Sequence, residues 1–351
     1  MCSDFDCIKL KLRLDIQRLE HDMTFSKTLR GLMLAAGLIS TAFIGTSMAQ
    51  TFPTKPVSLV VPFAAGGPTD ILARTIAASM TKDLGQTVVV ENRAGAGGTI
   101  ASAFVAKAPA DGYTLLIHHN GMATAPTLYR KLPFNALTDF TYVGLVADVP
   151  MTLLGRKDLP PNNMAEFIAY AKAQGNKLNL ANAGLGAVSQ LCGTLLQQAL
   201  GVGFTAIPYS GTGPAMIALL GGQLDVLCDQ TTQTLAQIKA KTVKLYGVTS
   251  AERLSYLPDT PTLREGGLKD FEIVVWHGIY GPKNLPAPVA ARLNQSLKAA
   301  LKDPAVIAKA ADLGAVIVPE AKQTPEALQA WVKDEINKWA PLLKAAGQYA
   351  D

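Results

Sequence analysis

Short apolar runs alternate with helix-periodic stretches along the chain, and this alternation predicts an α/β fold. The run at residues 57–61 predicts a buried strand, and the glycines that follow predict a loop. Apolar residues then recur every fourth position between Pro68 and Gly85, which predicts a helix. Further strands at residues 88–90 and 113–118, with a helix at 99–108 between them, complete a βαβαβ unit. Such a unit requires a parallel sheet with right-handed crossovers.

The alternation is expected to break at residues 139–149 and to restart as a second α/β unit. Its predicted strands are residues 152–154, 178–181, 204–207, 226–227 and 243–248, and its predicted helices are 164–174, 190–200, 214–220 and 235–239. A strand at 271–276 should lead back to the first unit, followed by helices at 288–301, 304–313 and 325–345. We therefore expect lobe 1 to comprise residues 50–147 and 275–351, and lobe 2 to comprise residues 148–274. A ligand would bind between them, beyond the carboxyl ends of the strands.

The N-terminal residues predict an export leader. Lys27 and Arg30 precede an apolar stretch at residues 31–45, and small residues then lead to an expected cleavage site after Ala49. This stretch is shorter than the roughly 20 residues that span a bilayer, so it predicts a removable signal peptide and a periplasmic protein. Since residues 1–22 would precede a normal signal peptide, we expect translation to start at Met23. We exclude residues 1–49 from the fold.

Composition excludes some classes of protein. The 32 basic and 27 acidic residues leave a net charge of +5 that no basic run concentrates, so we expect no nucleic-acid partner. Beyond the leader the chain contains Cys192 and Cys228, which could form a bridge in an exported protein. We favour two separately buried thiols, because cysteine is among the most buried residue types.

Catalytic and metal-binding patterns are missing from the sequence. It contains no nucleophile elbow, zinc-protease, phosphate-loop or Cys-x-x-Cys motif. His118 and His119 are adjacent at a strand end, so their side chains should point to opposite faces, and His277 stands alone. We interpret all three as structural and expect neither a metal nor a cofactor. A binding protein is therefore favoured over an enzyme.

Three loops of small residues are candidate binding elements. They lie at residues 63–67, 94–98 and 183–189, and each precedes a predicted helix. The unpaired N–H groups and partial positive charge of a helix N-terminus attract anions, and small side chains allow a carboxylate to approach the backbone. The three loops together favour an anionic ligand.

The sequence also resembles a known family over nearly all of the chain beyond the leader. The resemblance rests on ordered segments at residues 52–56 (FPTKP), 60–70 (VVPFAAGGPTD), 90–98 (VENRAGAGG), 110–115 (ADGYTL), 207–211 (IPYSG), 221–225 (GGQLD) and 257–262 (LPDTPT). These segments are similar to those of the Bug (TctC-like) family, the extracytoplasmic solute-binding proteins of tripartite tricarboxylate transporters. The resemblance implies a two-lobed periplasmic-binding-protein architecture (type II, Venus-flytrap), each lobe a mostly parallel sheet flanked by helices.

The same resemblance implies a small organic acid ligand, held by backbone groups and waters, and membrane subunits of a transporter as partners. A sensory partner is the alternative, and a secreted α/β enzyme is a more remote one. We expect the protein to act as a monomer. The implied ligand-binding residues are Phe63, Ala64, Ala65, Gly66, Gly67 and Asp70 in lobe 1, and Ala183, Gly184, Gly186, Ala187, Ser189, Gln190, Tyr209, Ser210 and Asp229 in lobe 2.

Four of the charged or polar candidates have specific expectations. Many family members have histidine where this chain has Gln190, and a neutral amide cannot become cationic, so we do not expect pH-switched release there. We expect Asp70 to cap its own helix and Arg74 to be paired or exposed. Asp229 either accepts a hydrogen bond from a ligand hydroxyl or ammonium or merely ends a strand.

Overall fold

The described part of the chain comprises residues 52–350 and Arg13, in a computed structural model. The expected leader and its cleavage site lie, apart from Arg13, outside the described residues. Over residues 52–350 no helix combines the length and the apolar character needed to cross a bilayer.

Ten strands form one mixed sheet within residues 52–350. They are β1 (Val57–Val61), β2 (Val88–Asn92), β3 (Thr114–His118), β4 (Phe140–Arg156), β5 (Asn179–Asn182), β6 (Thr205–Pro208), β7 (Val226–Gln230), β8 (Val243–Val248), β9 (Val274–Pro282) and β10 (Val316–Ile317). The spatial order is β2-β1-β3-β9-β4-β7-β5-β6, with β8 and β10 also paired to β4.

Ten α-helices flank this sheet within the same residues. They are α1 (Pro68–Leu84), α2 (Thr99–Ala106), α3 (Gly121–Leu128), α4 (Met164–Gln174), α5 (Val188–Leu200), α6 (Thr212–Leu220), α7 (Thr231–Lys239), α8 (Ala287–Lys302), α9 (Pro304–Asp312) and α10 (Pro325–Ala346). Short 3₁₀ turns lie at Ala96–Gly98, Gly175–Lys177 and Glu320–Lys322.

The sheet has a parallel block at each end. On one side β1 pairs in parallel with β2 and β3, which confirms the predicted βαβαβ unit. On the other side β5 pairs in parallel with β6 and β7. Between the blocks, β9 and β4 run antiparallel to their neighbours. The predicted α/β class is therefore confirmed, with antiparallel strands joining two parallel blocks.

The expected break at residues 139–149 is wrong, because β4 runs without interruption from Phe140 to Arg156. Its first part, through Pro150, pairs with β9, and its second part, from Met151, pairs with β7 and β8. Gly144 and Pro150 are residue types that commonly interrupt strands, so the sequence suggests a break here. In the structure, the pairing of β4 with β9 continues across irregularities in the register between Tyr142 and Ala147. We call β1, β2, β3, β9, β10 and the first part of β4 the first half of the sheet. The second half comprises β5, β6, β7, β8 and the second part of β4.

Several other elements differ from their sequence predictions, among them β10, which was not predicted, and α7, which begins at Thr231 and not at residue 235. Helix α3 was not predicted, because Gly121 and Pro126 give it a poor helical sequence. It forms because Met122, Ala123 and Ala125 are buried in an apolar cluster with residues of α10. The returning strand β9 begins at Val274, three residues later than expected, and continues to Pro282.

A disulfide links α5 to β7. Cys192 and Cys228 are both fully buried, and their sulfur atoms are bonded with a Cα–Cα distance of 6.3 Å. The expectation of two separate thiols is therefore wrong. The residues are 36 positions apart, and only the packing of α5 on β7 brings them face to face. The bond holds the start of α5 close to the end of β7.

Candidate ligand-binding site

A small cavity of about 20 Å³ lies between the two halves of the sheet, beyond the carboxyl ends of β1, β3, β5 and β7. This volume holds about one water molecule. The lining residues are Phe63, Pro68, Thr69, His119, Met151, Ala183, Ala187, Val188, Ser189, Thr212, Asp229 and Gln230. We call this space the cleft cavity.

Four helices begin at the cleft cavity. Thr69 is in the first turn of α1, Ser189 is in the first turn of α5, Thr212 begins α6, and Gln230 precedes α7. None of these four helices has a side-chain N-cap, and neither do α2, α3 and α8, whereas α4, α9 and α10 are capped by Asn163, Asp303 and Thr324. Uncapped N-termini retain N–H donors and partial positive charge, so the cavity is suited to an anion.

The cavity lining contains no lysine or arginine, but it does contain a buried carboxyl group. Asp229 is fully buried at the end of β7, and neither of its side-chain oxygens has a hydrogen-bond partner in the described chain. Burial raises its pKa to about 7, although the nearby Gln230 N–H and Thr212 hydroxyl act in the opposite direction. The side chain therefore requires a proton, or a donor from outside the protein, to compensate for its lost hydration.

Three buried histidines lie beside the cavity and remain neutral. His119 stacks on Phe63 with ring centroids 4.8 Å apart, and His277 Nε2 lies 3.3 Å from the Thr69 hydroxyl. Burial lowers the pKa of His118 and of His277 to about 3, and it lowers the pKa of His119 well below its ordinary value. Of the three rings only that of His119 lines the cavity and can exchange a hydrogen bond with a ligand there, and none of them adds positive charge at neutral pH.

The expectation that His118 and His119 point to opposite faces is wrong. Their ring centroids lie 4.9 Å apart, in an edge-to-face contact. The alternation of side chains applies only within a strand, and β3 ends at His118. His119 therefore belongs to the following turn and reaches the cavity.

The structure brings five of the fifteen expected ligand-binding residues to the cavity. They are Phe63, Ala183, Ala187, Ser189 and Asp229. Phe63 packs against Ala183 and Ala187 across the cleft, and the Ser189 hydroxyl accepts a hydrogen bond from Ala183 N.

The other ten expected residues do not line the cavity. They are Ala64, Ala65, Gly66, Gly67, Asp70, Gly184, Gly186, Gln190, Tyr209 and Ser210. Ala65, Gly66 and Ser210 are exposed, and Tyr209 donates its N–H to Asn182 O at 2.8 Å. Gln190 accepts a hydrogen bond from Gly186 N and donates to Thr194 and Gln348.

Asp70 has a structural role, but it does not cap its own helix as expected, because α1 has no side-chain cap. Its carboxylate accepts hydrogen bonds from Gly66 N and Asn92 Nδ2, and it forms a two-point pair with the Arg74 guanidinium. Burial raises the pKa of Asp70, but the hydrogen bonds from Arg74, Gly66 and Asn92 outweigh it and lower the pKa overall. Asp70 and Arg74 thus satisfy each other and stabilise the first turn of α1.

Loops from opposite halves of the sheet contact each other around the cavity. Ala64 N donates to Ser210 O at 3.0 Å. The Thr124 hydroxyl donates to Gly186 O at 2.9 Å, and the Tyr129 hydroxyl lies within hydrogen-bond distance of Leu185 O. The cleft is therefore closed in this structure.

The sequence interpretation missed seven lining residues. They are Pro68, Thr69, His119, Met151, Val188, Thr212 and Gln230. The missed residues at helix starts could have been identified from the sequence, because each lies in or next to the first helical turn that follows a strand and a loop. Met151 carries no such signal, since it lies within β4 where that strand changes partners.

A family model provides the decisive comparison. Residues 72–348 match the model of the tripartite tricarboxylate transporter family receptor. The chain belongs to this family. The receptor is also 49% identical over 316 residues to a UPF0065 protein from the TAR-I ttuE-ttuC' intergenic region of Agrobacterium vitis, covering 90% of this chain and 91% of that protein.

Solved structures confirm the two-lobed binding-protein fold of the receptor. The periplasmic binding protein BugD is 51% identical with a TM-score of 0.84, covering 86% of this chain and 100% of that one. MatC from Rhodopseudomonas palustris, solved with bound malate, is 42% identical with a TM-score of 0.80, covering 83% of this chain and 99% of that one. The resemblance to the Bug family is thereby confirmed, and the receptor is a solute-binding protein rather than an enzyme.

Proposed function

We propose that this receptor is an exported protein that captures a small carboxylate in the cleft cavity and presents it to membrane subunits of a tripartite tricarboxylate transporter. The observation that carries the proposal is the convergence of four uncapped helix N-termini on a cavity without a cationic side chain. Backbone N–H groups can bind a carboxylate there without a lysine or arginine. The malate bound by MatC belongs to the same chemical class.

Asp229 suggests a second requirement for the ligand. The carboxyl group is buried without a partner, so a ligand hydroxyl or ammonium next to the ligand carboxylate would supply the missing donor. We therefore propose a hydroxy- or amino-substituted carboxylate as the ligand. Of the expected residues, we retain Phe63, Ala183, Ala187, Ser189 and Asp229 as its direct contacts.

Calorimetry with matched acids tests both statements. The protein is unfolded and refolded to remove any bound ligand, and is then titrated with succinate, malate and aspartate. We expect malate or aspartate to bind about tenfold or more tightly than succinate, because only these two acids offer Asp229 a donor. The variant Asp229→Asn should reduce this preference. If no carboxylate in a wider panel binds, the proposed function is wrong, whereas equal binding of all three acids contradicts only the role of Asp229.

We also propose that the lobe boundaries expected from the sequence act as a hinge. We propose that lobe 2 spans residues 148–274, so that the chain crosses between lobes in β4 and at the start of β9. The change of partner along β4, between Pro150 and Met151, supports a hinge at this position. Ligand entry would require rotation about these two strands, and closure would form the surface that the membrane subunits bind.

Export and partner can be tested in the native host. We expect the periplasmic form to begin at Gln50, which its intact mass would reveal. We also expect cross-linking to recover membrane subunits of a transporter. Recovery of a sensor protein instead would support the sensory alternative.

A further inference from the structure

A second and larger cavity lies behind the cleft cavity. It has a volume of about 740 Å³, and its walls are formed by α5, residues 269–274 and α10. The two cavities are distinct, although consecutive residues line them: His119 lines the cleft cavity, and Asn120 lines the larger one. We call this second space the rear groove and define it by Asp148, Leu195, Trp276, Trp331, Glu335 and Trp339.

All three tryptophans of the sequence line the rear groove. Two of the indoles are held by one carboxylate, because Trp276 Nε1 and Trp339 Nε1 donate to Glu335 Oε2 at 3.0 and 2.9 Å. Trp331 Nε1 is shielded from solvent and has no hydrogen-bond partner in the described chain. Trp276 and Trp339 are only 2% and 3% exposed, so the aromatic surface that the groove offers is mainly that of the partly exposed Trp331.

Asp148 provides an unpaired negative charge in this aromatic surface. It lies opposite Trp276 in the β4–β9 ladder, and its side chain has no hydrogen bond or ion pair within residues 52–350. Burial raises its pKa, nearby Glu335 raises it further, and Lys322 lowers it.

The other charged groups of the groove are paired or lie at its rim. Glu335 pairs with Lys338 at 3.2 Å, and Glu272 pairs with Arg264 at 3.0 Å. Lys269 and Asp270 are exposed, and they have opposite charges. Among these groups Asp148 is the one without an ion-pair partner, and the cation that acts on it is Lys322, whose Nζ lies 4.9 Å from the centre of the Trp331 ring.

We propose that the rear groove is a second binding site, whose ligand is a small arylalkylammonium ion that pairs with Asp148 and packs against the partly exposed indole of Trp331. Indole rings attract organic cations and also provide apolar contact area. The groove volume lies within the range of about 300–1,000 Å³ that is typical of small-molecule sites. The proposal goes beyond the proposed function, because the cleft cavity is suited to anions and this groove to cations.

Tryptophan fluorescence reports directly on this site, because all three indoles line it. The probes are phenethylamine and 3-phenylpropionate, which have similar size and opposite charge at neutral pH. We expect phenethylamine to change the emission in a saturable manner and to bind about tenfold or more tightly than 3-phenylpropionate. Equal or tighter binding of 3-phenylpropionate, or no saturable change with either probe, would overturn the proposal.

Two variants locate the probe. Asp148→Asn should weaken phenethylamine binding about tenfold, since the amide keeps the shape and removes the charge. The matched control is Asp334→Asn, an exposed residue of α10 outside the groove, which should leave the affinity unchanged. Equal affinity of both variants would overturn the proposal. If Asp148→Asn does not fold, Trp331→Phe replaces it. An unaltered emission change and an unaltered affinity for phenethylamine in Trp331→Phe would also overturn the proposal. Neither result depends on whether the cleft binds a carboxylate.

Discussion

At the scale of single residues, burial gives the titratable groups beside the cleft cavity opposite effects on stability. The pKa of Asp229 is raised to about 7, so the folded protein retains a proton that the unfolded chain releases near the ordinary value of 3.8. The pKa values of His118 and His277 are lowered to about 3, so the unfolded chain binds protons there that the folded protein excludes. As the pH rises from about 4 to about 7, Asp229 therefore lowers the free energy of unfolding, and these histidines raise it.

The Asp229→Asn variant isolates the carboxyl group. Its stabilising contribution is complete below about pH 4 and is lost as the pH rises through about 7, so the ligand-free variant should gain stability relative to the parent protein over this interval. We expect a relative gain on the order of a few kcal/mol. Urea unfolding of both proteins between pH 4 and pH 8 measures the difference. The histidines are present in both proteins, so their contribution cancels. Parallel stability curves would show that Asp229 is not buried as an unpaired acid.

Asp229 also illustrates the limit of residue-level prediction. Its position at a strand end can be inferred from the apolar run that precedes it, but its burial cannot. The burial arises because Thr212, Gln230 and the start of α5 converge on it from different parts of the sequence.

At the scale of elements, the cleft is closed by a contact between two loops of small residues. The loops at residues 94–98 and 183–189 come from opposite halves of the sheet and meet at Gly97. A Cβ atom on Gly97 would lie 1.9 Å from Leu185 O, and the φ of Gly97 is +60°. Glycine is therefore required there both for its conformation and for the close approach of the two backbones.

Substitution of Gly97 by alanine should prevent closure. The added methyl group would collide with a backbone carbonyl, which cannot move away without separating the loops. We expect ligand affinity to fall about tenfold or more, because the closed form becomes less populated. Calorimetry measures the affinity, and small-angle scattering measures the opening.

A matched control separates the collision from backbone strain. Gly201 has a similar φ of +68°, and a Cβ atom there would meet nothing within 4 Å. The variant Gly201→Ala should therefore lose a similar amount of conformational stability and retain ligand affinity. An equal loss of affinity in both variants would indicate that the loop contact plays no part in closure.

At the scale of the whole molecule, the closed cleft leaves no room for a dicarboxylate. The cavity of about 20 Å³ holds about one water molecule, so the two halves must separate for a ligand to enter. Ala64 and Gly211 meet across the closed cleft, and a Cβ atom on Gly211 would lie 3.0 Å from Ala64 N and 3.4 Å from Ala64 Cβ. This distance is close to the Cβ–Cβ separation of about 3.5–4.5 Å in disulfides. Gly211 has an extended φ of 167°, which allows a side chain.

The double variant Ala64→Cys with Gly211→Cys should lock the cleft. We expect the oxidised protein to bind no ligand and the reduced protein to recover affinity, since only the reduced protein can open. Calorimetry before and after mild reduction measures this difference. The parent protein, treated identically, controls for reduction of the native Cys192–Cys228 bond. Full affinity in the fully oxidised double variant would mean that the ligand enters without opening of the cleft.

Local chemistry in the sequence determined many element boundaries. The strand Val57–Val61, the helix Pro68–Leu84 ending before Gly85, and the helix Met164–Gln174 have the predicted limits. Apolar runs, proline at a helix start and glycine after a helix end act within a few residues, so they can be interpreted without knowledge of the fold. The order and spacing of the loop segments likewise indicated the family.

Tertiary structure decided the continuity of β4, the bond between Cys192 and Cys228, and the choice of residues that line the cleft cavity. Each depends on contacts between segments that are distant in sequence. β4 remains a strand because β9, β7 and β8 pair with it, and His119 reaches the cavity because its turn lies against Phe63. The sequence therefore determined that small-residue loops precede helices, whereas only packing decided which of those loops form the cavity and which close it.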